Sequence, residues 1–412
     1  MKLLSYVKQF SSLMVQKVIP VRKNVFVFTS FDGHYSDSPK YISEKVHEMC
    51  KDIKIVWLLD DKWMSAPPSY VICKRNKGFC NLIYRGMAHV IVDNVYGHKE
   101  FSQSGKYKFD KLIFSLISSL KKKRGQYVFT TWHGTPLKRM GRDQIGNHIT
   151  DFSCPNTTMI HGNAFTLNIM DRLCFEKVPM KLLGTPRNDL LFKSATSKTE
   201  LREKLNLPTD KKIILYAPTF RNDGKGVEGK NIDRSGLNQL REMNFEQLFH
   251  SFSERFGDEW ILICRFHYHV ENMVDWATLA QQHGGRIING NLNDDMAEYL
   301  ACTDVLITDA SSSMFDFMLT KKPCFLYFPD LDHYKNVERG FYCDIESLPF
   351  PIATDFNTLI DKIRYFENET YQNAVDVLIK EFGYVDDEYS SERVAKYIVE
   401  AVSPKSKKKR DK

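Results

Sequence analysis

The 412-residue chain has nine cysteines, an odd number, scattered with no C-x-x-C pair. That excludes a ready disulfide framework or a zinc ribbon and suits reduced thiols. No run of about 18 apolar residues occurs, so nothing is expected to span a membrane. The start lacks a small-residue cleavage site and carries Lys17, Arg22 and Lys23 after its apolar stretch, which argues against a secretory signal. There is no G-x-x-x-x-G-K-S/T, which removes a P-loop NTPase as a simple match. Nor is there a G-x-S-x-G elbow, which demotes serine hydrolases, or an H-E-x-x-H metal motif. No solenoid repeat is present. Basic residues are not interleaved with aromatics along one stripe, so no nucleic-acid partner is expected.

What is present is a globular composition: 42% apolar and 26% charged residues, with 28 Phe and 19 Tyr. The length suits two or three domains. From residue 24 onward, short apolar runs alternate with helix-period stretches, the βαβ rhythm of a mainly parallel sheet. Strands are predicted at 25–29, 53–59, 90–92, 127–131 and 181–183, then at 213–217, 260–266, 286–288, 305–308 and 324–327. The predicted organisation is a basic amphipathic helix (1–24), an α/β domain (25–195), a polar linker (196–210), a second α/β domain (211–370), a helical region (371–402) and a basic tail (403–412). Two Rossmann-like, doubly wound domains would set the carboxyl ends of their strands on a shared central cleft, where open α/β sheets bind ligands.

The formal charge of +7 sits at the two ends. Residues 1–24 hold Lys2, Lys8, Lys17, Arg22 and Lys23 with no acid, and residues 403–412 hold six basic residues against Asp411. The body between them is slightly acidic. Leu3, Leu4, Val7, Phe10, Met14 and Val18 fall at helical spacing, so the first segment reads as a helix lying on an anionic membrane surface.

Four polar clusters fall at predicted strand ends. In Trp132-His133-Gly134-Thr135-Pro136-Leu137-Lys138 an apolar strand runs into a histidine. It would project as a general base, with Gly134 letting backbone approach a ligand. A histidine hydrogen-bonded in a turn would occupy the same position. In Gly184-Thr185-Pro186-Arg187-Asn188-Asp189 a guanidinium suits phosphate or carboxylate, while Asp189 also suits a plain helix cap. Pro218, Thr219 and Arg221 close one strand, and Arg265, His267 and His269 another. The H-x-H spacing allows a metal pair, but Arg265 and His267 also share a face suited to an anion. The fourth cluster, Thr308-Asp309-Ala310-Ser311-Ser312-Ser313 followed by Asp316, places hydroxyls at a helix start, an anion-binding arrangement. A serine cap is the plain reading of any one of them.

Together these segments resemble the CDP-glycerol glycerophosphotransferase family of teichoic acid synthesis, with its primases and its glycerol phosphate and ribitol phosphate polymerases. The motifs are WHGTPLK (132–138), GTPRND (184–189), YAPTFR (216–221), RFH (265–267), TDASSSMFDF (308–317) and YFPDLDHY…RGFY (327–342). The sequence departs at Ala310, where the family commonly has Tyr. The resemblance implies a GT-B fold and transfer of glycerol phosphate or another polyol phosphate from CDP-glycerol or CDP-ribitol to a hydroxyl of a lipid-linked acceptor. CMP would be released, at the cytoplasmic face of the cell membrane. It implies that His133 is the base, that Arg265 and His267 steady the pyrophosphate, and that Thr308, Asp309, Ser311 and Ser312 hold the donor. Pro218, Thr219 and Arg221 would line the CDP site, with Arg187 approaching across the cleft. Trp132, Gly134, Thr135, Pro136, Ser313 and Asp316 complete the expected donor and phosphate site. No cofactor is required, and a metal is implied by neither line of reasoning. Alternatives are a GT-B nucleotide-sugar glycosyltransferase, a sugar epimerase, or a non-catalytic peripheral membrane protein.

Overall fold

The computed structural model describes residues 12, 14–31, 33–95, 123–143, 157–174, 178–219, 235–266, 273–334 and 340–403. The chain divides into two compact units: Met1–His133 with Gly146–Asp189 and Tyr384–Lys412, and Gly134–Ile145 with Leu190–Gly383.

The first unit is built on seven parallel strands: β1 (Arg22–Phe28), β2 (Lys54–Leu59), β3 (Ile72–Arg75), β4 (Ala88–Asp93), β5 (Tyr127–Thr130), β6 (Thr157–His161) and β7 (Met180–Leu182). Their spatial order is β3-β2-β1-β4-β5-β6-β7. The central strands read as unbroken apolar runs because both faces are covered. Successive side chains alternate between the faces. Phe26, Phe28, Trp57 and Leu59 pack with Ile42, Val46, Val394 and Ile398 on one side. Val25, Val27, Val56 and Leu58 pack with Ile91 and Val128 on the other.

The second unit has β8 (Lys212–Ala217), β9 (Trp260–Cys264), β10 (Ile287–Asn289), β11 (Val305–Thr308), β12 (Cys324–Tyr327) and β13 (Ile352–Ala353), all parallel, in the order β10-β9-β8-β11-β12-β13. Counted from its own first strand, each sheet therefore runs 3-2-1-4-5-6, the doubly wound Rossmann order, with β7 a seventh strand at the end of the first. Such a sheet reverses its winding between the first and fourth strands, here β1/β4 and β8/β11.

Several boundaries differ from expectation. Arg22 and Lys23 open β1 instead of closing the basic helix. Residues 14–18 are helical, and Pro20 stops the helix by lacking an N–H and disfavouring helical backbone before it. Lys2, Lys8 and the rest of the predicted helix up to residue 11 lie outside the described residues, as does the tail beyond residue 403. The expected linker contains the helix Ala195–Lys204. Its polarity reflects how it is held, with Arg202 donating to the Cys302 carbonyl and pairing with Asp304. The C-terminal helical region is two helices, Asn368–Phe382 and Ser390–Val402, separated at Gly383, which caps the first in left-handed conformation. The first belongs to the second unit, whereas the second returns to the first unit and buries Val394, Ala395 and Ile398 there. Strands β3, β6 and β13 were not foreseen.

Candidate active site

In the first unit, the turn after β1 and the end of β4 meet at the switch point. The Asn94 side chain ties them together: Oδ1 accepts from the Phe31 N–H at 2.9 Å, and Nδ2 donates to Ser30 Oγ at 3.0 Å. The Asn94 carbonyl lies 3.2 Å from Nδ1 of His133, which follows β5. A carbonyl can only accept, so in the neutral ring Nδ1 carries the proton and the lone pair lies on Nε2, the form a general base needs. The turn-histidine and general-base readings are thus compatible.

The backbone beside His133 is unusual. Trp132, buried at 3% exposure, has φ 55° and stacks obliquely on His133 with ring centroids 4.1 Å apart. Phe31 has φ 37° and presents its ring edge-on to His133. For a residue with a Cβ, left-handed backbone costs about 1–2 kcal/mol. Such outliers persist only where surrounding contacts hold them.

After His133 the chain enters the second unit. Gly134 has φ 140°, and Thr135 and Pro136 are buried. The segment then pairs with the RGFY motif. Lys138 bridges Phe341, the Leu137 carbonyl accepts from Tyr342 N at 2.8 Å, and the Tyr342 hydroxyl donates to Asp143 at 3.0 Å. Sequence spacing, about 200 residues, gave no hint that these two motifs are partners.

At the switch point of the second unit, Asp309 follows β11 and Thr219 follows β8. Asp309 Oδ1 accepts from Thr219 N at 2.8 Å and from the Thr219 hydroxyl. Thr308 Oγ1 donates to the Ala217 carbonyl at 2.7 Å, locking the same two strands. Pro218 lies in this turn. Ser311 and Ser313 share a 2.9 Å hydroxyl hydrogen bond, Ser312 is half-buried, and Asp316 is buried. The helix they open, Ser313–Phe317, has only five residues before a 3-10 turn takes over. Its aligned dipole is correspondingly weaker than the expected helix start implied.

Two guanidiniums are engaged differently from expectation. Arg187, assigned to a phosphate across a cleft, is buried, and its NH1 donates to both carboxylate oxygens of Asp37 at 2.9 Å. The rest of its motif docks the returning C-terminal segment. Thr185 N and Asn188 Nδ2 donate to Asp386 Oδ1. Asp189 accepts from Ser390 N and Ser391 N, both at 3.0 Å, so it caps the last helix. Gly184 permits the close approach, since a Cβ there would lie 2.3 Å from Ser390 Oγ. Arg265, assigned to the pyrophosphate, donates to the carbonyls of Gly290 and Asp294 at 2.7 Å and of Asn293 at 2.5 Å, and stacks over Tyr299. Asn291, missed by the sequence reading, completes this turn by bonding both backbone groups of Phe266. The result is a fixed strand end just ahead of His267. His267, His269 and Arg221 lie outside the described residues. Among the described residues no cluster of His, Cys, Asp and Glu could hold a metal ion.

His161, at the end of β6, was also missed. It is buried, neither ring nitrogen has a hydrogen-bond partner among the described residues, and burial lowers its pKa to about 4.

Two Rossmann-order sheets with polar clusters at both switch points define a doubly wound α/β protein of the ligand-binding kind. The family described as CDP-Glycerol:Poly(glycerophosphate) glycerophosphotransferase matches residues 11–400, and the chain belongs to it. A teichoic acid poly(glycerol phosphate) polymerase of Staphylococcus epidermidis is 30% identical over 92% of this chain and 51% of its own length. A teichoic acid glycerol-phosphate transferase of Staphylococcus aureus is 28% identical over 91% of this chain and 93% of its own. The chain thus spans about half the length of the first relative and nearly all of the second. Among solved structures, the wall teichoic acid polymerase TagF aligns with a TM-score of 0.72 at 26% identity, covering 97% of this chain and 94% of that one.

Proposed function

We propose that the protein transfers glycerol phosphate, or another polyol phosphate, from CDP-glycerol or CDP-ribitol to a hydroxyl of a membrane-bound, lipid-linked acceptor. CMP is released, and the product belongs to teichoic acid or a related cell-surface polymer. The carrying observation is His133, whose Nδ1 is held by the Asn94 carbonyl beside two strained aromatic residues, in a chain of this family. The donor class follows the relatives, which are named for glycerol phosphate transfer and polymerisation.

In this reading the acceptor oxygen attacks the donor's β-phosphorus while its proton passes to His133 Nε2. The bond from that phosphorus to the bridging oxygen breaks, and CMP leaves. Positive groups at the transferring oxygens supply most of the stabilisation. His267 takes that role, with the charge of Arg265 close by in sequence at the end of β9. Asp309 and Thr308 fix the turn holding Pro218 and Thr219, and with Arg221, Ser311 and Ser312 they form the CDP site. Arg187, engaged with Asp37, is left out of it. The fold is assigned to the GT-B type on the strength of its two Rossmann-order sheets.

The basic ends are assigned to peripheral membrane binding. No helix among the described residues is long and apolar enough to cross a membrane. Met14, Val15 and Val18 are exposed apolar residues beside exposed Lys17, Arg22 and Lys23. At about 1 kcal/mol per basic residue near an anionic surface, such a segment contributes several kcal/mol of attraction, screened by salt.

The test supplies purified protein with CDP-glycerol, CDP-ribitol and a UDP-sugar in parallel, with anionic vesicles carrying a lipid-linked acceptor. CMP release from one CDP-polyol is expected, falling about 10³-fold in His133→Ala with an unchanged melting temperature. Vesicle association should weaken with salt and with removal of residues 1–24 and 403–412. UDP-sugar turnover, or an active His133→Ala, overturns the reading.

A further inference from the structure

Phe31 is a large ring left 36% exposed on left-handed backbone, next to the residue assigned as base. Its loop is fixed from both sides. Asn94 holds the Phe31 N–H and the Ser30 hydroxyl from the β4 side. From the β2 side, Asp60 N donates to the Gly33 carbonyl at 2.9 Å, and Gly33 N and His34 N both return to the Ser30 carbonyl at 2.9 Å. Gly33 is required there: its φ is 113°, and a Cβ would lie 2.4 Å from Asp60 N.

Phe31, His34 and Trp63 form a row of rings. Phe31 lies 6.0 Å from His133 and 6.2 Å from His34, edge-on to each, and His34 lies 5.5 Å from Trp63. An exposed ring held by this many backbone contacts is preorganised, which lowers the ordering cost of binding. The faces of such rings are electron-rich and attract polarised C–H groups, while imidazole nitrogens exchange hydrogen bonds with hydroxyls. A polyol or sugar presents both kinds of group.

We propose that Phe31, with His34 and Trp63, is the platform on which the acceptor's terminal polyol or sugar unit lies, setting its hydroxyl beside His133. This rests on the function proposed above. The cytosine of a donor could also stack on a ring. The acceptor is preferred because the group that gives its proton to His133 must lie against the rings His133 itself touches.

The experiment measures steady-state CMP release from whichever CDP-polyol the wild type uses, with an alkyl-linked glycerol phosphate as acceptor, for wild type, Phe31→Ala, Phe31→Tyr and Trp63→Ala. The expected result is an acceptor KM raised about 10-fold in Phe31→Ala, raised less in Trp63→Ala and restored in Phe31→Tyr, with the KM for the CDP-polyol unchanged. If Phe31→Ala lowers the melting temperature, the Trp63→Ala and Phe31→Tyr pair carries the same readout. An unchanged acceptor KM, or a rise confined to the CDP-polyol KM, overturns the platform while leaving the transferase reading intact. A wild type that releases no CMP fells both.

Discussion

The carboxyl edges of the two sheets share one topology and differ in chemistry. At the β1/β4 edge the polar links are an amide side chain and a backbone carbonyl, and they hold rings: Phe31, His133 and Trp132. At the β8/β11 edge the Asp309 carboxylate gathers the amide and hydroxyl of Thr219. An amide and a carbonyl fix geometry without adding charge, and the carbonyl places the proton of a neutral His133 ring on Nδ1. A carboxylate oxygen fixes a turn by accepting hydrogen bonds and, when ionised, offers no donor of its own. Anionic ligand groups at that edge must therefore be met by donors other than Asp309. The same winding decides where each site lies, and the residues after the central strands decide what it can do.

The largest effect is expected at Arg187. Arg187→Met leaves buried Asp37 without its guanidinium partner, and unfolding free energy should fall by about 3–5 kcal/mol. Adding Asp37→Asn should restore most of that loss, with the KM for the CDP-polyol untouched throughout. A normal denaturation midpoint together with a raised donor KM would return Arg187 to the ligand.

His161 gives the next largest effect. Its folded pKa, about 4, lies below the ordinary 6.5 because burial disfavours the charged ring. The unfolded chain takes up this proton first, so the stabilisation is complete above about pH 6.5 and is lost as pH falls toward 4, amounting to about 3 kcal/mol. Urea midpoints measured between pH 7 and pH 4 should decline more steeply in the wild type than in His161→Phe, and parallel slopes would refute the assignment. The smallest effect sharpens the second edge. Asp309→Ala removes the acceptor of the part-buried Thr219 N–H and should cost about 1.5–3 kcal/mol. Thr219→Val in that background should add little, because the two residues act as one link. Additive losses measured by denaturation would separate them.

Much of the scaffold was legible because parallel strands buried on both faces are short apolar runs, and ten of them announce themselves. β3, with Lys74 and Arg75 in four residues, sits at the sheet edge and lacks that signature. β6 ends in polar His161, and β13 has only two residues. His133 was legible because an apolar strand ran straight into it. Phe31 carried the same signal, lying just past β1 in a loop with Gly33, but an aromatic residue there reads as core until its exposure is known. Arg187 and Arg265 could not be read from sequence. A guanidinium suits a phosphate, a carboxylate or three carbonyls equally, and the Asp37 that engages Arg187 is 150 positions away.

Residue type and order by themselves determined the alternation of strands and helices, the location of polar clusters at strand ends and the family, because periodicity and motif spacing are local properties. Tertiary structure alone decided which polar groups meet each other. It paired WHGTPLK with RGFY, turned GTPRND into the dock for the last helix, and set the Asn94 carbonyl against His133. These outcomes depend on how far apart folded atoms lie, and hydrogen bonds act only within about 3 Å. No residue's neighbours in sequence can supply that distance.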